Sequence, residues 1–289
     1  MLADDCRAAA ADEDDAGLRV SVVIPVLNEA KNLPHVFDRL PDGVSQVVVV
    51  DGGSTDGSAE VAQRLRPDAL VLHQHGRGKG DALLLGFASC TGDVVVMMDA
   101  DGSTDPAEIP RFVDALAAGA DFAKGSRFAA GGGSSDITAV RRQGNRLLQH
   151  AVNTLFATRY TDLCYGYNAF WLRHLSTLVP PRADGDAPTR RMRLGDGFEI
   201  ETLLNVRAAR AGLEVVEVPS FEGERIHGCS RLNAIRDGLR ALRVIVHESA
   251  RRATVVDLVT PAGTGECETR PCEEHGAAWD CCCSLSATA

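Results

Sequence analysis

Two aspartates, Asp99 and Asp101, close the apolar run VVVMM in the stretch VVVMMDADGSTD. Paired carboxylates of this kind can grip a hard divalent cation, Mg2+ or Mn2+, while leaving positions open for phosphate oxygens. A short apolar run bounded by turn residues reads as a strand buried on both faces. Residues i and i+2 of a strand point to the same side, so the two carboxylates are expected to project together from its C-terminal end. The plainer reading of D-x-D is a solvated turn behind a strand. The neighbouring elements have to decide.

Those elements alternate. Leu18 to Pro25 is predicted as a strand, Asn28 to Leu40 as a helix, and Gln46 to Val50 as a second strand ending at Asp51. A helix over Ser58 to Leu65, a strand over Ala69 to His73, the glycine-rich GRGKG and a helix from Asp81 to Cys90 precede the strand that carries the aspartates. This pattern predicts an α/β fold, a Rossmann-like, mainly parallel sheet with helices on both faces. Ligands of such sheets bind beyond the carboxyl ends of the strands. Asn28 with Glu29, Asp51, Lys79, and Asp99 with Asp101 all fall on that one edge. In the second half, a strand over Asp121 to Lys124 leads to GSRF, and a helix is predicted over Thr138 to Phe156. A strand pair with a turn is expected over 161–171, an amphipathic helix over GFEIETLLNVRAARAG, a strand in LEVVEVP and a last helix over Asn233 to Arg252.

The 289 residues are 45% hydrophobic, enough for a substantial core, and a net charge of -10 argues against nucleic acid as a partner. No apolar run approaches the roughly 18 residues of a membrane span. The acidic, Ala-rich start lacks the features of a signal peptide, so a cytoplasmic protein with a mobile leader over 1–17 is expected. Nine cysteines, three of them consecutive, make no tidy disulfide framework. Cys267, Cys272, His275 and Cys281 to Cys283 lie in a tail, 253–289, read as disordered rather than as a zinc site. GRGKG fits neither G-x-G-x-x-G nor the P-loop pattern, which sets aside the dinucleotide and P-loop readings.

SVVIPVLNEAKNL, VVVVDGGSTDGS, GRGKGDALLLG and VVMMDADGSTDP, in that order, resemble the nucleotide-sugar half of the inverting family 2 glycosyltransferases of GT-A fold. With KGSRF, TDLCYGYNAF, GDGFEIE and ERIHGCSRLN, the likeness narrows to polyprenyl-phosphate (dolichyl-phosphate) sugar synthases and covers about residues 18–250. The resemblance implies one domain over 18–252, with a donor and metal half (18–125) and an acceptor half (126–252). It implies a nucleoside pocket lined by Pro25, Asn28 and Glu29, with Asp51 on base or ribose, Lys79 on the diphosphate, and Asp99 with Asp101 on the metal. His227 is a candidate third metal ligand or a diphosphate contact, with a purely structural histidine as its plainer reading. Ser103 stands where many relatives carry an amide, and the DADG form leans toward the glucose enzymes.

The acceptor separates the remaining roles. In enzymes acting on hydroxyls, a carboxylate from the region of Glu199 and Glu201 serves as general base. A phosphomonoester, largely dianionic at neutral pH, needs none and calls for cations instead. Arg127, Arg225 and Arg231 are the candidates, with Arg190, Arg191 and Arg193 as a second group. On the last helix Ile235, Leu239, Leu242 and Val246 form a stripe beside Arg236, Arg240 and Arg243. That stripe faces either the core or a bilayer interface at the inner face of the cell membrane. The expected activity is transfer of a hexose from a UDP-glucose or GDP-mannose type donor to a polyprenyl phosphate. The alternatives are a soluble hydroxyl acceptor and a non-catalytic nucleotide-sugar-binding protein.

Overall fold

The computed structural model describes residues 17–179 and 192–256. The expected leader, Arg190, Arg191 and the cysteine-rich tail lie outside the described residues. The first half alternates β1 (Val20–Val26), α1 (Leu33–Phe37), β2 (Val44–Asp51), α2 (Ser58–Leu65), β3 (Leu70–His73), α3 (Lys79–Ala88) and β4 (Val94–Met97). Then come α4 (Ile109–Ala117), β5 (Phe122–Ser126), β6 (Gly133–Ser134), α5 (Ala139–Phe156) and β7 (Asn168–Trp171). The described chain finishes with α6 (Leu175–Leu178), α7 (Ile200–Arg210), β8 (Val215–Pro219), β9 (Phe221–Glu222) and α8 (Ala234–Val256).

The main sheet runs β3-β2-β1-β4-β7-β5-β8. Only β7 is antiparallel to its neighbours, and β6 and β9 pair separately. The near-continuous valine runs follow from burial on both faces. Val22, Ile24, Val47 and Val49 pack with Leu33, Phe112 and Leu116 on one side. Val23, Val48, Val50 and Met97 pack with Leu83, Phe87, Leu203 and Leu204 on the other.

Five local expectations are corrected. The helix expected over 28–40 shortens to α1, because Asn28 adopts the left-handed conformation at φ 60° and the chain turns through Glu29 to Asn32. The strand pair expected over 161–171 is one strand, β7. Upstream of it the backbone N–H groups bond to side chains: Thr161 and Asp162 to Glu217, Leu163 and Cys164 to Asn145. Helix α4, with Ile109, Phe112 and Leu116 buried, occupies a stretch that was assigned no element. Helix α7 is not amphipathic, because α3, α5, α6 and α8 enclose it and bury residues from Ile200 through Val206. The stripe on α8 does not face the core; Ala241, Val244, Ile245 and Glu248 do.

Candidate active site

The carboxyl ends of the parallel strands open onto a cavity of about 310 Å³. Pro25 lines it near the end of β1 and Glu29 beyond it, Lys79 at the start of α3, and Asp99 with Asp101 beyond β4. Arg225 and Arg231 close it from the chain that follows β9. Strand β4 ends at Met97, so the aspartates sit in the following turn rather than on the strand. They still face one cavity. The backbone N–H and Oγ of Ser103 donate to Asp101 Oδ1 at 2.9 and 2.7 Å, which folds Ser103 back onto the aspartate.

Cations neutralise both carboxylates. Lys79 Nζ lies 2.5 Å from Asp99, and Arg225 spans Asp101 at 2.7 Å and Glu29 at 2.8 Å. Burial alone would lower the pKa of Arg225, but Asp101 and Glu29 raise it. Two hard carboxylates on one cavity wall fit Mg2+ or Mn2+, which take remaining ligands from phosphate and water. His227 does not complete a cluster. Its ring lies 5.9 Å from that of His35, and among the described residues no group of three His, Cys, Asp or Glu is placed to hold a metal.

Behind Asp99, Lys79 Nζ also reaches Glu201 Oε1 at 2.7 Å. Burial would strip Lys79 of its proton, yet Asp99 and Glu201 hold its pKa above the lysine range; burial pushes Glu201 up, with Lys79 pulling against it. The backbone of Gly166 presses on this triad. A Cβ there would stand 2.6 Å from Lys79 Nζ and 2.8 Å from Glu201 Oε1, so the position admits no side chain without displacing them. The glycines of GRGKG serve a similar close approach. A Cβ on Gly78 or Gly80 would collide with the backbone of Asp196 or Gly195, which packs across the start of α3.

Other candidates hold the scaffold. Asp51 is buried and accepts from the N–H groups of Gly53 and Ser54, so Gly52 lines the cavity in its place. Asn28 accepts from Thr55 N–H at 2.7 Å, tying the β1 loop to the β2 loop. Glu199 does not line this cavity. It is gripped by Arg240 at 2.6 and 2.8 Å and accepts from the N–H groups of Gly195 and Gly197. Burial would raise its pKa, but the bond from Arg240 carries it below the ordinary value. Arg127 is likewise committed, to Asp162 at 2.7 Å and Glu222 at 3.1 Å, so its fork already binds carboxylates. Cys90, Cys164 and Cys229 are free thiols, and burial pushes the first two up to about 12.

A second cavity, about 430 Å³, runs between α5 and α8. Phe198 borders both cavities, so the two adjoin there, with Glu201 on the groove side. Its walls include Ile137, Val140, Leu148, Leu232 and Ile235, with Arg127 and Arg141 among them. Asn145 Oδ1 accepts from Leu163 and Cys164, while its Nδ2 finds no partner. The groove residues Val140 (67%) and Ile235 (75%) are largely exposed, and outside the groove the two helices expose Leu147 (65%), Leu239 (62%) and Val246 (58%). Sequence reasoning missed Gly166, Phe198, Asp162 and Arg77. The glycine between two tyrosines in CYGYN was a readable signal for the first; the others carry none.

A mainly parallel sheet with one antiparallel strand, and paired aspartates at its carboxyl edge, define a GT-A type transferase. Residues 21–177 match Glycosyl transferase family 2, and the chain belongs to that family of glycosyltransferases. It is 36% identical over 246 residues to a polyprenol monophosphomannose synthase of Mycolicibacterium smegmatis, covering 78% of this chain and 87% of that one. It is 33% identical to an undecaprenyl-phosphate mannosyltransferase of Micrococcus luteus, covering 75% and 88%. Among solved structures it is similar to glucosyl-3-phosphoglycerate synthase of Mycobacterium tuberculosis, in complex with Mn2+, UDP-glucose and glycerol 3-phosphate. That match has a TM-score of 0.62 and 25% identity, and covers 81% of each chain.

Proposed function

We propose that this glycosyltransferase moves a hexose from a nucleotide sugar of the UDP-glucose or GDP-mannose type to a polyprenyl phosphate at a membrane surface. The observation that carries the reading is the junction at Phe198, where the charged donor cavity meets a largely apolar groove. The polyprenyl-phosphate sugar transferases among the relatives support it. The nucleotide sugar would occupy the cavity behind Pro25 and Gly52, with its diphosphate toward Lys79, Arg225 and the guanidinium groups of Arg77 and Arg231, which form no ion pair among the described residues. Mg2+ or Mn2+ held by Asp99 and Asp101 would supply charge neutralisation for the departing nucleoside diphosphate. An acceptor phosphate oxygen attacks the anomeric carbon from the opposite face. The bond from that carbon to the diphosphate oxygen breaks, its electron pair leaves with the nucleotide, and the configuration inverts.

No general base is needed for a phosphate with a second pKa of about 6. This agrees with Glu199 and Glu201, each engaged by a cation. The exposed apolar residues of α5 and α8, with Arg142, Arg146, Arg236 and Arg243 exposed beside them, suit a bilayer with anionic headgroups. Among the described residues no helix is long and apolar enough to cross a membrane.

A second reading takes a soluble phosphorylated hydroxyl as acceptor. The complex of the similar synthase with glycerol 3-phosphate favours it. Supplying labelled UDP-glucose and GDP-mannose with polyprenyl phosphate, and separately with glycerol 3-phosphate and 3-phosphoglycerate, tests the two. Labelled lipid is the expected product. Label in water-soluble product alone would sink the lipid reading.

A further inference from the structure

We infer that Gly144 on α5 and Gly238 on α8 keep the groove wide enough for a long prenyl chain; this rests on the lipid-phosphate reading above. Both glycines lie inside long helices, where glycine is the weakest former after proline. Neither has the excuse that other glycines in this chain have. Their φ angles are not positive, so no left-handed turn demands them. No neighbour crowds them either: a Cβ built on each meets nothing within 4 Å, whereas one on Gly86 of α3 would strike Val23. What they share is position. Gly144 lies between Val140 and Leu148 on the face of α5 that lines the groove, and Gly238 lies between Ala234 and Ala241 on the facing stripe of α8. A side chain at either place would enter open space along the groove. Two helices thus leave out bulk along the walls of one groove, without a conformational or packing reason. A long, flexible apolar chain is the ligand such an open groove admits.

The test is the full-length protein carrying Gly144→Leu, Gly238→Leu, and the corresponding alanine variants, assayed with a long-chain and a single-isoprene polyprenyl phosphate. In the leucine variants the ratio of long-chain to single-isoprene transfer, as kcat/KM, should fall at least about tenfold. The alanine variants should shift the same ratio by less, and melt no lower than the parent because alanine is the better helix former. They keep the test open should the leucine variants fold poorly. An unchanged ratio, or an equal loss with both acceptors, overturns the inference while leaving the lipid-phosphate reading intact. A parent protein that glycosylates only soluble hydroxyls overturns both.

Discussion

Lys79 lines the donor cavity, Glu201 lines the apolar groove, and their ion pair at 2.7 Å forms the wall between the two. Both side chains are almost fully buried. The pair therefore joins α3 to α7 and at the same time sets where Asp99, 2.5 Å from the same ammonium, can stand.

Breaking this pair from one side should be costly, since it leaves an uncompensated buried charge. Lys79→Met is expected to lower unfolding free energy by about 3–5 kcal/mol, the usual cost of removing one partner. Glu201→Gln should cost less, because Asp99 remains to balance Lys79. A double-mutant cycle measured by urea denaturation should return a coupling of at least about 0.5 kcal/mol. Additive losses would show that the two side chains do not act as a pair.

Beneath the groove, Arg127 holds Asp162 and Glu222 together. Asp162→Asn should destabilise by about 3–5 kcal/mol, again through a buried charge left alone. Arg127→Lys cannot reproduce the fork and should recover only part of the stability of the parent. If Arg127 instead served mainly to hold acceptor phosphate, Arg127→Lys would raise the acceptor KM with little change in the melting temperature. That outcome would return it to the substrate-binding set.

The pH dependence of stability follows from Asp162 and Glu199. Burial would raise the pKa of each, but the bonds from Arg127 and Arg240 hold both below their ordinary values of 3.8 and 4.5. Groups lowered in the folded state bind fewer protons there than in the unfolded chain. Their contribution is complete above those ordinary values and is lost as pH falls through the folded values. Urea midpoints should decline below about pH 4.5, and Glu199→Gln should shallow that decline. A variant whose slope matches the parent would contradict the assignment for Glu199.

At the donor end, Arg77 and Arg231 line the cavity and make no ion pair with the described residues. Replacing either with alanine should weaken UDP or GDP binding by about 1.5–3 kcal/mol, the range for a hydrogen bond to a charged group. Asp101→Asn should act differently, reducing turnover on the order of a hundredfold and weakening the Mn2+ dependence of nucleotide binding. Calorimetry with and without Mn2+ separates the two effects. Equal nucleotide affinity in all variants would move the donor out of this cavity.

Much of this was legible in the sequence, and the reasons are physical. Valine runs ending in Asp51 and Asp99 could only be strands covered on both faces, so the sheet and its functional edge followed. Asp99, Asp101 and Lys79 could be named because cavity-edge chemistry is local to strand ends, whereas Arg225 was reached only through the ERIHGCSRLN stretch and as an acceptor-phosphate cation, not as the partner of Asp101. The roles of Glu199 and Arg127 were not legible, since their partners Arg240, Asp162 and Glu222 lie 41, 35 and 95 residues away. The α8 stripe misled for a different reason. Periodicity shows that Ile235, Leu239, Leu242 and Val246 share a face, but it says nothing about whether that face meets a core or a bilayer.

That exposed face gives the last prediction. Transferring an apolar helix face from water to the acyl boundary is favourable by about 25 cal/mol per Å² of apolar surface, and nearby arginines add attraction to anionic lipid. Leu239 and Val246 are 62% and 58% exposed and make no contribution to the core, so changing them leaves the fold in place. The double variant Leu239→Asp, Val246→Asp should retain the parental melting temperature and nucleotide affinity while losing most of its sedimentation with vesicles rich in phosphatidylglycerol. Raising the salt should weaken the parent's binding only in part, because the apolar term is not screened. Binding abolished by salt alone would assign the surface to the arginines. Binding unaffected by the double variant would mean that α8 does not meet the bilayer at all.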